Sequence, residues 1–450
     1  MTATNPVGTL TPERKLRLAL AIVGGGFVLA GVYHLIQKLV FDHGYPYSTF
    51  LFKAAARYSD FSSVMDATID LDPYVHQQVY YPFTYVLFYP LAGLRMRIAL
   101  ALFFGGCLLA LGTWVWARLR GVVASGWAWA GGFVLVFLAY PVLFCVDRGN
   151  VEFGLLILLL GFLSAYERGW FWMAIACLVP AICLKVYPVV FLGLLVRRGQ
   201  WPHLIVALAA SLILSVASLA LFSRPMVENL RLMKQDTQVY ADLQLNSDGG
   251  MSSSASLWSP VRLALIGGER LLGRPGASGL KSSGAAPPTM SVSARINAAG
   301  LTLYSLFMVG LAAYVAFHVA CVETEFWRRA ALLLIFMVVS APAGADYKMI
   351  HLIPALCGLI TLKSCRSRDL LVIVALALVL VPKKYIFIPG VVTDSGYADA
   401  SLLGIVLNPL LMLAVAAMLC ADGWRDASAR GRVSWTAFRQ SIIPPAVLAG

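Results

Sequence analysis

Asp60 lies in Arg57-Tyr58-Ser59-Asp60-Phe61, in an acidic, aromatic-rich stretch that follows the first long apolar run and closes with Tyr80-Tyr81-Pro82-Phe83. Aromatic neighbours partly desolvate a carboxylate, and a desolvated carboxylate is a better base. The same rings, Tyr58 and Tyr81 among them, offer flat faces on which a sugar can stack. The other acids of this stretch, Asp42, Asp66, Asp70 and Asp72, stand in more polar surroundings and read as solvated surface. Asp60 is the one whose setting fits general-base chemistry.

Cations recur at the edges of later apolar runs: Arg148 in Asp147-Arg148-Gly149-Asn150, Lys185 in Lys185-Val186-Tyr187-Pro188, and Lys348 and His351 in Asp346-Tyr347-Lys348-Met349-Ile350-His351. Taken singly, each long side chain reads as snorkelling to the headgroup layer. Taken together they mark a ligand path, because ionisable groups within membrane segments are costly. Arg grips phosphate as a fork and Lys as a point charge, so the set fits the phosphate of a lipid carrier. His351 reads either as a proton donor or phosphate partner, or as a buried hydrogen-bonded histidine. Asn150 and the serine run within Asn246 to Ser256 supply groups suited to sugar hydroxyls, the plainer reading of the run being a flexible loop. Tyr80 to Phe83 and Phe88-Tyr89-Pro90 also suit an interfacial aromatic belt.

The elements that must hold these residues are membrane helices. The chain is 60% hydrophobic and 13% charged, with mean hydropathy +0.78, whereas soluble domains carry about 25% charged residues. Only helices satisfy their backbone within one segment in lipid, and the apolar runs lack strand-like alternation. An all-α polytopic bundle of twelve crossings follows: Leu16–Val40, Ile98–Ala117, Val122–Phe144, Val151–Tyr166, Trp170–Leu184, Val186–Val196, Leu204–Phe222, Ala299–Val322, Ala330–Ala341, Met349–Leu362, Leu370–Val381 and Leu402–Cys420. The first reads as a retained helix, being longer than a signal h-region.

Basic residues collect in Arg14, Lys15 and Arg17, then Arg118 and Arg120, Arg168, Arg197 and Arg198, Arg328 and Arg329, and Lys363, Arg366 and Arg368. By the positive-inside rule these loops and both termini are cytoplasmic, and the Asp60 segment is outside. The whole chain, 1–450, reads as one integral membrane domain. It has a first outer loop over 41–97, a large outer loop over 223–297 and a cytoplasmic tail over 422–450. In the first loop, Pro82 to Leu94 is too short to cross and reads as re-entrant or interfacial. In the second, Pro225 to Leu245 has helical composition, and Gly273 to Ser293 is rich in Gly, Ser, Ala and Pro.

The net charge of +13 is the sum of these basic loops and calls for no nucleic acid. The eight cysteines fall mostly inside apolar runs and read as small buried hydrophobes. No P-loop, zinc motif, GxSxG elbow or pair of half-length repeats is present, and nothing in the motifs calls for a metal or other cofactor.

The order Ser59-Asp60-Phe61, Tyr81-Pro82-Phe83, Leu87-Phe88-Tyr89-Pro90-Leu91, Gly149-Asn150 and Leu184-Lys185-Val186-Tyr187-Pro188, followed by Arg197-Arg198, resembles the bacterial GT-C membrane glycosyltransferases. It resembles in particular the polyprenol-phosphate-mannose-dependent α-1,2-mannosyltransferases of glycosyltransferase family 87. The resemblance implies a polyprenyl-phosphate sugar donor, a glycolipid or polysaccharide acceptor, and transfer at the outer face of the cell membrane. It implies Asp60 as the acidic residue of the first outer loop, Lys185 as the lysine before Tyr-Pro, and His351 as the late outer histidine. Phe83 stands where the family has a second proline, and Arg148 where its Gly-Gln-x-Asn element has glutamine.

The reading is an inverting transfer in which Asp60 takes the acceptor proton. Arg148, Lys185, Lys348 and His351 hold the donor phosphate, and Tyr58, Tyr81, Asn150 and Tyr187 contact sugar or acceptor. The alternative is a transporter or flippase for a lipid-linked or anionic substrate, which would spread polar residues through the midplane. A whole-glycan ligase or polymerase is the rival among enzymes. Donor sugar, acceptor, linkage and oligomeric state are left open by the sequence.

Overall fold

A computed structural model of the chain describes residues 11–76, 78–196, 200–246, 254–271, 294–364, 366–393 and 396–429. Arg197, Arg198, the Gly/Ser/Ala/Pro-rich stretch over 273–293 and tail residues 430–450 lie outside the described residues.

Helix α1 (Pro12–Leu39) begins where the Thr11 hydroxyl accepts from the Arg14 amide and Pro12 occupies the first turn. Leu16, Ala19, Leu20 and Val23 are buried, while Val28, Leu29, Val32, Leu35 and Ile36 face outward. So broad an exposed apolar surface suits lipid contact. The segment over 41–97 folds into α2 (Ser59–Ile69) and α3 (Pro82–Ala92), which pack on each other. At eleven residues, α3 is far shorter than the roughly 20 needed to cross.

Helix α4 (Met96–Leu119) follows. The single crossing expected over 122–144 is instead two helices, α5 (Ser125–Phe137) and α6 (Tyr140–Arg148), bent by 44°. Pro141 in the first turn of α6 lacks an amide donor, and the Tyr140 amide leaves the chain's own ladder to donate to Leu380 O at 2.9 Å. Helices α7 (Glu152–Glu167) and α8 (Phe171–Leu184) pack as a hairpin. The crossing expected over 186–196 is a 3-10 turn, Tyr187–Phe191, and the one-turn α9 (Leu192–Leu195).

Beyond α10 (Trp201–Ala220), the segment over 223–297 contains α11 (Met226–Ala241) and α12 (Trp258–Leu271). Then come α13 (Ala294–Phe317), α14 (Phe326–Ser340), a 3-10 turn over Asp346–His351, α15 (Leu352–Ile360), α16 (Asp369–Val379) and α17 (Leu402–Ala429).

One expectation, the number of crossings, is revised. Among the described residues, five helices are long and apolar enough to cross a membrane, or six with the bent pair counted as one span, where twelve crossings were expected. Much of the remaining apolar sequence packs against protein: Trp327 to Val339 are all buried, as is all of α15. A helix apolar on every side belongs in a core as readily as in lipid. The helical bundle carries one short antiparallel hairpin, β1 (Phe387–Thr393) with β2 (Gly396–Ser401), Val392 standing opposite Tyr397. Val391-Val392-Thr393 supplies the β-branched run that favours a strand. The tail expected from 422 starts within α17, which continues to Ala429.

Helix ends sort the buried polar residues into two sets. At one set of ends Arg328 pairs with Asp369 at 2.7 Å, Arg118 with Glu167 at 2.8 Å and Arg366 with Glu323 at 2.6 Å, and Lys15 reaches Asp369 at 4.0 Å. The opposite ends of α1, α7 and α16 carry or adjoin His34, Glu152 and Lys384. Those ends gather around the segment over 41–97, His34 meeting Tyr47 and Asn150 meeting Asp60 and Tyr80.

Candidate active site

Asp60 stands in the first turn of α2, preceded by Tyr58 in a left-handed conformation (φ 58°). The turn between α6 and α7 fixes it there. Gly149 adopts φ 71°, and a Cβ on it would lie 2.8 Å from Phe61 Cβ and 3.0 Å from Tyr58 Cα. Only glycine lets the two backbones approach so closely in that conformation. The Tyr58 amide then donates to Asp147 O at 2.8 Å. The Asp147 carboxylate accepts from the Phe52 amide at 2.9 Å and from Arg57 Nε at 3.1 Å.

From this turn Arg148 donates to Asp60 Oδ1, and Asn150 Nδ2 donates to Asp60 Oδ2 at 2.6 Å. Asn150 is oriented by its other end, since its Oδ1 accepts from the Glu152 amide at 3.0 Å. Its amide nitrogen therefore faces Asp60 and, at 3.4 Å, the Tyr80 hydroxyl. The Arg148 guanidinium lies 4.3 Å from the Phe52 ring centre. The Asp60 side chain keeps 15% exposure. A carboxylate has about four lone-pair positions, so these two donors leave room for a hydroxyl.

The second half of the site is organised by Glu152, the first residue of α7 and completely buried. Its Oε1 accepts from Lys185 Nζ at 2.8 Å and from the Tyr187 hydroxyl, and its Oε2 meets His351 Nε2 at 2.8 Å. Lys185 Nζ also lies 5.2 Å from the Tyr80 ring, which joins the halves through Asn150. Lys348 Nζ donates to Ala343 O at 3.1 Å and sits 4.7 Å from the Tyr187 ring. Burial pushes the Lys348 ammonium down to about 8; nearby Glu152 opposes the fall and Lys185 adds to it.

Of the residues singled out from sequence, Asp60, Arg148, Asn150, Lys185, Tyr187, Lys348 and His351 share this contiguous network. Tyr58 enters it through its backbone. Tyr81 does not join: it is 41% exposed, and its neighbour Tyr80 takes the place beside Asn150. Each cation expected to be free for phosphate already faces a protein group. Arg148 is paired with Asp60, Lys185 with Glu152, and Lys348 with a carbonyl.

Glu152 is the principal residue that sequence reasoning passed over. A lone acid opening an apolar run was the available signal, because such a charge is retained in a membrane only with a partner. Asp147, which anchors the Asp60 loop, was overlooked in the same way.

The fold and this cluster define a helical membrane protein whose polar helix ends meet in one carboxylate- and lysine-bearing site. The chain belongs to glycosyltransferase family 87, whose sequence model matches residues 79–343. The matched residues include Tyr80, Arg148, Asn150, Glu152, Lys185 and Tyr187, while Asp60, Lys348 and His351 fall outside them. No curated protein and no solved structure matches the chain. The protein is accordingly a membrane glycosyltransferase, with a sugar donor and an acceptor as its substrates.

Proposed function

We propose that the protein moves one sugar from a polyprenyl-phosphate-linked donor to a lipid- or cell-envelope-linked acceptor, with inversion, in a GT-C-like bundle. Asp60 is the general base. The acceptor hydroxyl attacks the anomeric carbon and its proton passes to Asp60. The bond from that carbon to the phosphate oxygen breaks, and polyprenyl phosphate leaves with the electron pair.

The observation that carries this reading is the join of an accessible carboxylate to a basic cluster through Asn150 and Tyr80. The charge balance supports it. Arg148, Lys185 and Lys348 stand against Asp60 and Glu152, an excess of one positive charge before His351 is counted. A sugar phosphodiester carries one negative charge and matches that excess. Negative charge grows on the departing phosphate, and Lys185 and Lys348 stabilise it, with His351 held behind them on Glu152. Glu152 has no exposure and so holds the cations in place rather than meeting substrate.

The reaction is assigned to the outer face. Lys15, Arg118, Arg328 and Arg366 lie at the helix ends away from the site, as basic cytoplasmic loops should. Both termini are cytoplasmic on this reading.

The test is transfer of labelled sugar by purified protein in detergent, with Asp60→Asn as the variant. A general base contributes about 10²- to 10⁴-fold, so the variant loses that much turnover while still binding donor. An unchanged rate removes Asp60 from the mechanism, and donor flipping in proteoliposomes with no new glycosidic bond would make the protein a flippase.

A further inference from the structure

A second polar cluster adjoins the site and is not used by the chemistry above. It is formed by His34 of α1, Asp346 of the 3-10 turn, and Lys384 of the segment between α16 and β1, all outside the family match. Their exposures are 3%, 3% and 6%. The two adjacent lysines differ sharply. Lys383 Nζ donates to Val381 O at 3.0 Å and Val379 O at 3.3 Å, and so caps the end of α16. Lys384 Nζ has no hydrogen-bond partner among the described residues and lies 5.0 Å from the Phe144 ring centre.

Lys384 acts electrostatically on Asp346, Asp147 and His34. The groups are also contiguous by packing. The Phe50 ring is 5.8 Å from His34 and 6.2 Å from Tyr140, whose hydroxyl donates to Asp346 Oδ2 at 2.9 Å. Two buried atoms here have no partner among the described residues, Asp346 Oδ1 and His34 Nε2. Buried polar atoms left unmatched are rare and call for an explanation.

The donor and acceptor roles select the ligand chemistry. His34 Nδ1 is 2.6 Å from Tyr47 O and must donate to that carbonyl, so in the neutral ring Nε2 accepts. Asp346 Oδ1 accepts, and Lys384 only donates. A phosphate offers acceptors alone, leaving Asp346 and His34 unmatched and Asp346 repelling it. Hydroxyls both donate and accept. One hydroxyl satisfies Lys384 and Asp346 together, and a second satisfies His34. The wall beside them is aromatic, with Phe144 stacked at 5.5 Å on Tyr140 and 6.1 Å on Tyr347, which holds the three polar groups in a firm, apolar frame.

We propose that Asp346, Lys384 and His34 form a sugar-hydroxyl subsite beside the catalytic carboxylate, one that reads which hydroxyls a substrate sugar carries. The inference rests on the polyprenyl-phosphate transfer reading. Tyr347, adjacent to Asp346, faces Lys185 at 5.9 Å and so ties the subsite to the phosphate cluster.

The test measures binding by detergent-solubilised full-length protein, separately from turnover. The probes are polyprenyl-phosphate hexoses lacking one hydroxyl at a time, and the matching deoxy series of alkyl hexosides. In the wild type, one deoxy compound should bind about 10- to 100-fold more weakly than its parent, the worth of a hydrogen bond to a charged group. That penalty should nearly vanish in Asp346→Asn and in Lys384→Met, while penalties at other hydroxyls persist. A merely structural role would not produce this selectivity, and Lys384→Met carries the comparison if Asp346→Asn does not fold. A penalty in the phosphate-linked series assigns the hydroxyl to the donor, and one in the hexoside series to the acceptor. Equal binding of all deoxy compounds, or penalties unchanged in both variants, overturns the proposal and leaves the three groups bridged by water. Donor binding without sugar transfer sinks the proposed reaction and leaves the subsite to stand on the deoxy data, whereas failure of every parent hexose and hexoside to bind sinks both.

Discussion

Replacing Glu152 by glutamine keeps the shape of the site and removes its buried negative charge. The amide oxygen can still accept from Lys185 and Tyr187, and the amide nitrogen can face His351 Nε2. Lys185 is then a cation with 15% side-chain exposure and no counterion at 2.8 Å. Removing one member of a buried pair costs about 3–5 kcal/mol, mostly because the other charge is left uncompensated. The unfolding entropy of a 450-residue chain is about 0.9 kcal/mol/K, so the detergent thermal midpoint should fall by about 3–5 °C. Adding Lys185→Met removes the stranded charge. In the Glu152→Gln background it should therefore cost less than it does alone, and the non-additivity measures the pair. A midpoint within one degree of wild type, with additive single and double variants, would refute the assignment of Glu152 as the counterion.

Gly149→Ala should act on the other half of the site. It forces a methyl to within 2.8 Å of Phe61 Cβ at φ 71°, costs about 1–2 kcal/mol from the left-handed conformation alone, and should cut transfer sharply by shifting the Asp60 loop; wild-type melting and turnover would contradict it. The pH dependence follows from Lys348, whose pKa lies near 8 instead of 10.5. If its charge holds the donor, kcat/KM falls as pH rises through about 8, because this ratio reports groups of the free enzyme. Lys348→Arg, charged throughout, should hold the profile level there; the same fall in both proteins would remove Lys348 from donor binding. For stability the sign is opposite. Between about 8 and 10.5 the unfolded chain binds the extra proton, so this group adds stability as pH rises, and a titration of unfolding in which Lys348→Met makes no difference would contradict its burial.

Much of the site was legible because its residues sit where apolar runs stop, and a polar residue at such a boundary is informative. Arg148, Asn150, Lys185 and His351 are of this kind, and Asp60 was singled out instead by its aromatic neighbours. What the sequence could not give was the pairing among them. Arg148 and Lys185 look like free cations until the chain brings Asp60 and Glu152 to them from 88 and 33 positions away. The twelve expected crossings exceed the five or six long apolar helices among the described residues for a related reason. Hydropathy measures dislike of water and does not distinguish lipid from protein interior. Leu332 to Val339, buried on every side, and Leu212 and Ile213, exposed at 67% and 66%, therefore read alike. The break after Phe137 had a visible cause in Pro141, but proline is also tolerated inside membrane helices, so the residue alone did not settle it.

The two acids of the site are separated by access rather than by type. Asp60 retains exposure and accepts from two donors, whereas Glu152 has no exposure and accepts from three side chains across both oxygens. Both are held by one turn, residues 148–152. Arg148 and Asn150 grip Asp60, the Asn150 side chain caps the amide of Glu152, and Glu152 grips Lys185, Tyr187 and His351. The placement of Asp60 relative to Lys185 is therefore set by a few covalently joined residues at the start of α7. Reacting groups gain most when held within a near-attack separation, and small misplacements are costly. A site assembled from separate loops would need each loop ordered independently. Here the α6–α7 turn orders both halves at once, and that is why a glycine with no room for a methyl stands at its centre.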